Sequence, residues 1–266
     1  MMKRTTRALA GAALAAVLLA GCSSGGGGGD SSLSVAQLLA GSADKSTAST
    51  AKLALDVSVD VPGQGSVEIT GSGAFDYANN RGVITEHIPS TAGQPAQTIE
   101  VRTIGDTVYV KAPGLSADKP WVKTDTSTFN AQNGGAAASD PTQFLDYLRG
   151  SSNSVTDEGT DTVRGVHTRK MKAVLDLQKA AEKLPADQRK AVEQAIQQLG
   201  TSTIPAEVWI DDQGRLAKMT FSVGTPSGAS GSGGGGSLDL TFELFDYGAP
   251  VNVTAPPPSE VSSQSV

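Results

Sequence analysis

Side chains suited to acid–base, nucleophilic or metal chemistry are few in this chain of 266 residues. It has two histidines, one cysteine and scattered carboxylates. His87 and His167 lie far apart, each inside a strand pattern, and read as surface or rim residues. With a single cysteine and no paired His/Glu spacing on a helix, neither a transition-metal site nor a cofactor is expected. No Gly-x-Ser-x-Gly elbow and no Gly-Lys-Ser/Thr phosphate loop occurs. Ser72 does stand between Gly71 and Gly73, but inside a strand pattern rather than at a strand-to-helix turn. Asp211-Asp212 lacks the alternating oxygen ligands of a calcium loop and reads as a hairpin turn. Asp60, Asp76 and Glu86 read as solvated charges on polar strand faces, without the shared cleft that a glycosidase pair needs. No catalytic residue is expected, and the chain is not expected to be an enzyme.

The cysteine carries more information. Lys3, Arg4 and Arg7 precede an apolar run at 8–20, and small residues lead to Cys22. That is the layout of a secretion signal. The run is shorter than the roughly 20 residues needed to span a bilayer. Leu19-Ala20-Gly21-Cys22 resembles the lipobox of bacterial lipoproteins. The resemblance implies cleavage before Cys22, which receives a thioether-linked diacylglycerol. The Ser/Gly run that follows suits a flexible tether, and lipidation would remove a free thiol that is a liability on a secreted protein.

Composition narrows the partners. The formal net charge is −6, and loss of the three signal-segment cations takes it to −9. Such a chain is a poor nucleic-acid binder and would not adhere electrostatically to anionic lipid. Membrane attachment would then fall to Cys22. With one cysteine the fold has no intramolecular disulfide and relies on its core. Low aromatic content (5%) beside abundant small residues favours a β-rich fold.

The elements that would position any site are mostly strands. Residues 33–50 (Leu33, Val35, Leu38, Leu39) have helical spacing. Alternating patterns then predict strands at 53–61, 67–77, 83–88, 98–104, 107–111 and 120–124. After a polar Ala/Gly-rich loop at 130–139, Asp140-Pro141 opens a short helix carrying Phe144, Leu145 and Leu148. Strands are expected again at 154–156 and 161–177. A helical segment at 178–199 is interrupted by Pro185 and stopped by Gly200. The last meander is 205–211, 215–223 and 237–245, with a Gly/Ser-rich loop at 224–236 expected to be disordered. About ten strands with helices clustered mid-chain predict an α+β fold, a curved antiparallel sheet (half-barrel) with helices covering its concave face. The division expected is a signal peptide at 1–21, a lipidated tether at 22–32, one domain at 33–254 and a disordered tail at 255–266 with nothing to bury.

Gly71 and Gly73 fall on the otherwise apolar face of their strand, between Ile69 and Phe75. Glycine there marks a bend, a bulge or room for a close neighbour. Either a packed helix fills the space or a groove remains. The groove would be lined by Val57, Val59, Ile69, Gly71, Gly73, Phe75, Val101, Val110, Phe221, Leu240 and Phe242. Leu145, Leu148, Val192, Ile196 and Leu199 would close it from the helices, making a pocket suited to acyl chains.

Three stretches carry a family resemblance: Gly159–Thr168 with Val174-Leu-Asp-Leu177, then Ile204–Asp212 with Gly214-Arg-Leu216, then Leu240–Val251 with Pro256. With the lipobox and the Asp140 helix, they resemble the actinobacterial lipoproteins LppX, LprA, LprF and LprG and, more broadly, the LolA/LolB-like fold. The resemblance implies a half-barrel with a hydrophobic cavity for lipid or glycolipid acyl chains, working on the outer side of the cytoplasmic membrane. It implies a lipid or glycolipid ligand, a membrane transporter as a further partner, and a monomer. Against it stand a filled-core envelope scaffold or accessory protein and, third, a hydrolase whose site has no motif.

Overall fold

The computed structural model describes residues 35–61, 65–91, 94–132, 155–182, 189, 192–193, 196–197, 199–224 and 235–262. Cys22, the tether, the helix expected at 140–150 with Leu145 and Leu148, and most of the loops at 130–139 and 224–236 lie outside them.

Helix α1 (Val35–Thr47) leads into β1 (Thr50–Val61), β2 (Gly65–Asp76), β3 (Arg81–Ile88), β4 (Gln97–Ile104), β5 (Thr107–Lys111) and β6 (Val122–Asp125). Helix α2 (Thr126–Gln132) follows, then β7 (Thr156–Val163), β8 (Val166–Asp176), α3 (Leu177–Glu182), β9 (Thr203–Asp211), β10 (Leu216–Gly224) and β11 (Ser237–Phe245). All eleven strands form one antiparallel sheet in the order β6-β5-β4-β3-β2-β1-β11-β10-β9-β8-β7. The fold is α+β, an open, curved half-barrel. Each half of the chain is a meander, and the halves meet where β1 pairs with β11.

The register sorts side chains into two faces, because neighbours two apart on a strand point the same way. Leu53 stands opposite Gly73 and Leu244, Leu55 opposite Gly71 and Phe242, and Val57 opposite Ile69 and Leu240. The same rows continue to Met219, Phe221 and Val208 on one side and to Ile84 and Val101 on the other. This inner face is apolar. At one end it is closed by α1, whose Leu39 and Ala43 are buried with Leu53, Phe75, Met171, Met219 and Phe242. Each fully buried side chain of this size contributes about 1.5–3 kcal/mol.

Two serines of α1 are also buried, and both are satisfied. Ser42 Oγ donates to the Leu39 carbonyl at 2.7 Å, and Ser46 Oγ donates to the Ser42 carbonyl at 2.6 Å. Ser46 Oγ also accepts from the Leu216 amide at 2.8 Å, tying the helix to the start of β10. Tyr247 Oη donates to the Leu216 carbonyl at 2.6 Å, and burial pushes its phenol well above the ordinary value.

Three expectations need correction. The strands expected at 154–156 and 161–177 are instead one hairpin, β7 and β8, with Val163 paired to Val166 across Arg164-Gly165. Both turn residues have positive φ (+48° and +80°), as a two-residue hairpin of the primed type requires. β7 has an almost wholly exposed face, so it carries no apolar alternation. The tail is not free either. Pro256 and Ser262 are buried, Val261 bridges to Trp121, and the Trp121 amide donates to Glu260 while its carbonyl accepts from Ser262. These bonds fix the tail to the backbone of Trp121, whose buried indole is faced by the Arg102 guanidinium and the Lys111 ammonium at 4.6 and 5.7 Å. Third, Glu86 lies on the inner face, not on a polar one.

Candidate functional site

Away from α1 the inner face loosens. Leu53 is 1% exposed, whereas Leu55, Val57 and Val59, next along the same face of β1, are half-buried. Ile69, Val101, Val110 and Leu240 are half-buried too. The register places Val57, Val59, Ile69, Gly71, Gly73, Phe75, Val101, Val110, Phe221, Leu240 and Phe242 on this one face. They are not equally open. Phe75, Phe221 and Phe242 are buried, and all three belong to the packed core under α1. Val192, Ile196 and Leu199 are half-buried helical positions. Gly200 ends that helix at φ +68°, its amide donating to the Ile196 carbonyl.

The two glycines have different reasons. A Cβ at Gly73 would stand 2.3 Å from the Val83 carbonyl oxygen and 3.2 Å from Ile84 Cα. Glycine there admits the backbone of β3, so this position leaves no groove. A Cβ at Gly71 would meet Leu55 Cβ at 3.2 Å and Glu86 Cγ at 3.6 Å, which are side-chain atoms. A third glycine, Gly82, has no sequence signal that marks it. It pairs with Phe75, whose ring atoms would lie 2.4 Å from a Cβ, so the ring covers the bare backbone.

Glu86 is not on a polar face. It pairs with Gly71 on one side and Ile99 on the other, on the face that also carries Ile84 and Ile88. Burial alone pushes its carboxyl above the ordinary carboxylate range. Asp60 is exposed, and Asp76 is occupied in holding the Asn79 amide and side chain.

A cavity of about 490 Å³ lies elsewhere. Its lining takes residues two apart from four neighbouring strands: Lys172 and Val174, Pro205 and Glu207, Thr220 and Ser222, Asp239 and Thr241. Those positions alternate with the core-facing ones, so the cavity belongs to the outer face. Phe221 and Leu240 border it only as the residues between such pairs.

The outer face has its own small core. Trp209 (5% exposed) packs with Val163 and Ala217. The ammonium groups of Lys170 and Lys218 sit 5.1 and 5.0 Å from its ring, within cation–π range. Its indole N–H donates to Asp161 at 2.8 Å, which holds that carboxyl below its ordinary value. His87 and His167 are exposed, bonded to Thr98 and Asp212 respectively. Among the described residues no group of three or more His, Cys, Asp or Glu could hold a metal ion. No helix among them is long and apolar enough to cross a membrane.

Residues 35–253 match the family model described as LppX_LprAFG lipoprotein. No curated protein matches the chain. Among solved structures, lipoprotein LppX of Mycobacterium tuberculosis is similar at 19% identity, covering 83% of this chain and 100% of that one, with a TM-score of 0.45. LprF of Mycobacterium bovis shares 18% identity over 83% of this chain and 96% of its own, with a TM-score of 0.43. A LolA superfamily protein from Nitrosomonas europaea shares 14% identity over 79% and 94%, with a TM-score of 0.29.

Proposed function

Because this chain belongs to the LppX_LprAFG lipoprotein family, we propose that it is a membrane-anchored binding protein for the acyl chains of a lipid, glycolipid or lipoprotein. The observation that carries the reading is the half-buried apolar stretch of the inner face beyond α1, around Leu55, Val57, Ile69 and Leu240. Acyl chains laid on it would leave water, and at about 25 cal/mol per Å² one chain would contribute several kcal/mol. The work is burial, so it needs no acid or base. Cys22 would carry the lipid anchor on the extracytoplasmic face, and residues 23–32 would be its tether. A monomer that passes lipid to a membrane transporter in envelope trafficking completes the proposal.

The packed core around Phe75 and Phe242, with Gly73 closed by β3, favours a second reading, a filled-core scaffold or accessory protein. Native mass spectrometry of the mature chain (residues 22–266, Cys22→Ser) separates the two. It retains the compact unit Leu33–Val266. The lipid reading expects co-purifying lipid that extracts can restore after delipidation. Bare protein that also fails to bind lipid extracts would overturn it in favour of the scaffold.

A further inference from the structure

We propose that Glu86 is the polar contact of the inner face, taking a hydrogen bond from a hydroxyl of the ligand, so that the face selects hydroxyl-bearing amphiphiles over purely apolar chains. The inference rests on the lipid-binding reading and names its chemical class. Leu55, Ile69, Ile84, Ile88 and Ile99 surround Glu86 on this face. The nearest charged groups on the flanking strands, Glu68 of β2 and Glu100 and Arg102 of β4, fall on the opposite face by register. Arg102 is engaged with Glu100 and the Thr254 carbonyl. No hydrogen bond or ion pair to Glu86 occurs among the described residues.

The half-buried carboxyl loses part of its hydration to the apolar surface without gaining a protein partner, and its oxygens are not among the fully buried ones, so they remain open to a ligand. Opposite Glu86, Gly71 adds no side chain of its own; the Cβ position there is 3.6 Å from Glu86 Cγ and is bordered by Leu55 Cβ and Cδ2 at 3.2 and 3.4 Å, so the stem of Glu86 runs beside bare backbone and Leu55. A larger residue there would cover the stem of Glu86. A hydroxyl suits the site because it donates to a carboxylate and can exchange both bonds with a protonated carboxyl. Burial raises the proton affinity of Glu86, which favours such a neutral partner.

The test measures dissociation constants by titration calorimetry below the micellar concentration, using the mature chain with Cys22→Ser. The probes share one acyl chain length: a monoacylglycerol, the fatty-acid methyl ester and the alkylammonium. Wild type is expected to favour the monoacylglycerol over the methyl ester by about tenfold, the size of one hydrogen bond to a charged group. Glu86→Gln, which keeps an acceptor, should retain most of that preference. Glu86→Leu should abolish it while binding the methyl ester at least as tightly, with circular dichroism matching wild type. An unchanged preference in Glu86→Leu would overturn the inference and leave lipid binding standing. So would an alkylammonium that binds best and loses its advantage in Glu86→Gln, since that marks charge pairing. If no probe binds wild type, the lipid reading itself fails.

Discussion

Gly71 and Gly73 are paired positions two residues apart whose replacement by alanine should have different outcomes. At Gly73 the new methyl would stand 2.3 Å from the Val83 carbonyl oxygen, about 1 Å inside an ordinary contact. The oxygen is main chain within the β2–β3 ladder, so no side-chain rotation relieves the overlap. The strands must move apart where Gly73 pairs with Ile84 and Ala74 with Val83. Overpacking of this kind costs about 1–3 kcal/mol, while replacing a strand glycine returns about 0.5–1 kcal/mol. A net loss of about 1–2 kcal/mol lowers the melting temperature by about 2–8 °C in a domain of this size. At Gly71 the closest atoms, at 3.2 and 3.4 Å, belong to the Leu55 side chain. Cδ2 can turn away, and the backbone-fixed Cβ at 3.2 Å needs to give by only a few tenths of an ångström, which the gain from replacing a strand glycine offsets, so Gly71→Ala should stay within about 0.5 kcal/mol of wild type. Thermal and urea melts followed by circular dichroism read both variants. A Gly73→Ala protein as stable as Gly71→Ala would refute the close-backbone explanation and return Gly73 to the groove.

Ser46→Ala should cost about 1–3 kcal/mol in urea unfolding, because it strands the Leu216 amide in the core; a loss no larger than that of an exposed serine would contradict this. Asp161 is held below the ordinary 3.8, first by the bond from Trp209. Its contribution is therefore present above 3.8 and is lost as pH falls through the lower folded value. The tryptophan-fluorescence difference between wild type and Asp161→Asn should be constant from neutral pH down to the ordinary aspartate range and collapse only below it. A collapse above that range would refute the assignment.

The alternating strands were legible because one face is buried and the other wet. The pattern of β1 through β5 and β9 through β11 is written in Val, Ile, Leu and Phe, and the inner-face candidates follow from it. Glu86 was legible in principle. Ile84, Glu86 and Ile88 share a period of two, which puts the carboxyl with the isoleucines, yet its charge suggested water. β7 was hidden because Thr, Asp, Glu and Gly on an exposed edge strand carry no hydrophobic period. The docked tail was hidden because its binding is made by backbone bonds to Trp121 and burial of a proline, neither of which has a sequence period. The closeness of Val83 to Gly73 depends on sheet curvature, a property of several strands together. Sequence shows that a glycine is present but not which atom requires it.

The seam between β1 and β11 has a consequence for how the molecule is made. Lys52 and Asp246, bonded across it, are 194 residues apart. Every other strand pairing among the described residues joins consecutive strands of one meander. The central pairing joins the first strand to the last. Until the two pair, β1 has one unpaired edge and an apolar face, the arrangement most open to wrong partners. Closing so long a loop carries an entropic cost before any contact repays it, which slows folding. Folding should therefore be limited by this one step, with two preformed half-sheets joining last.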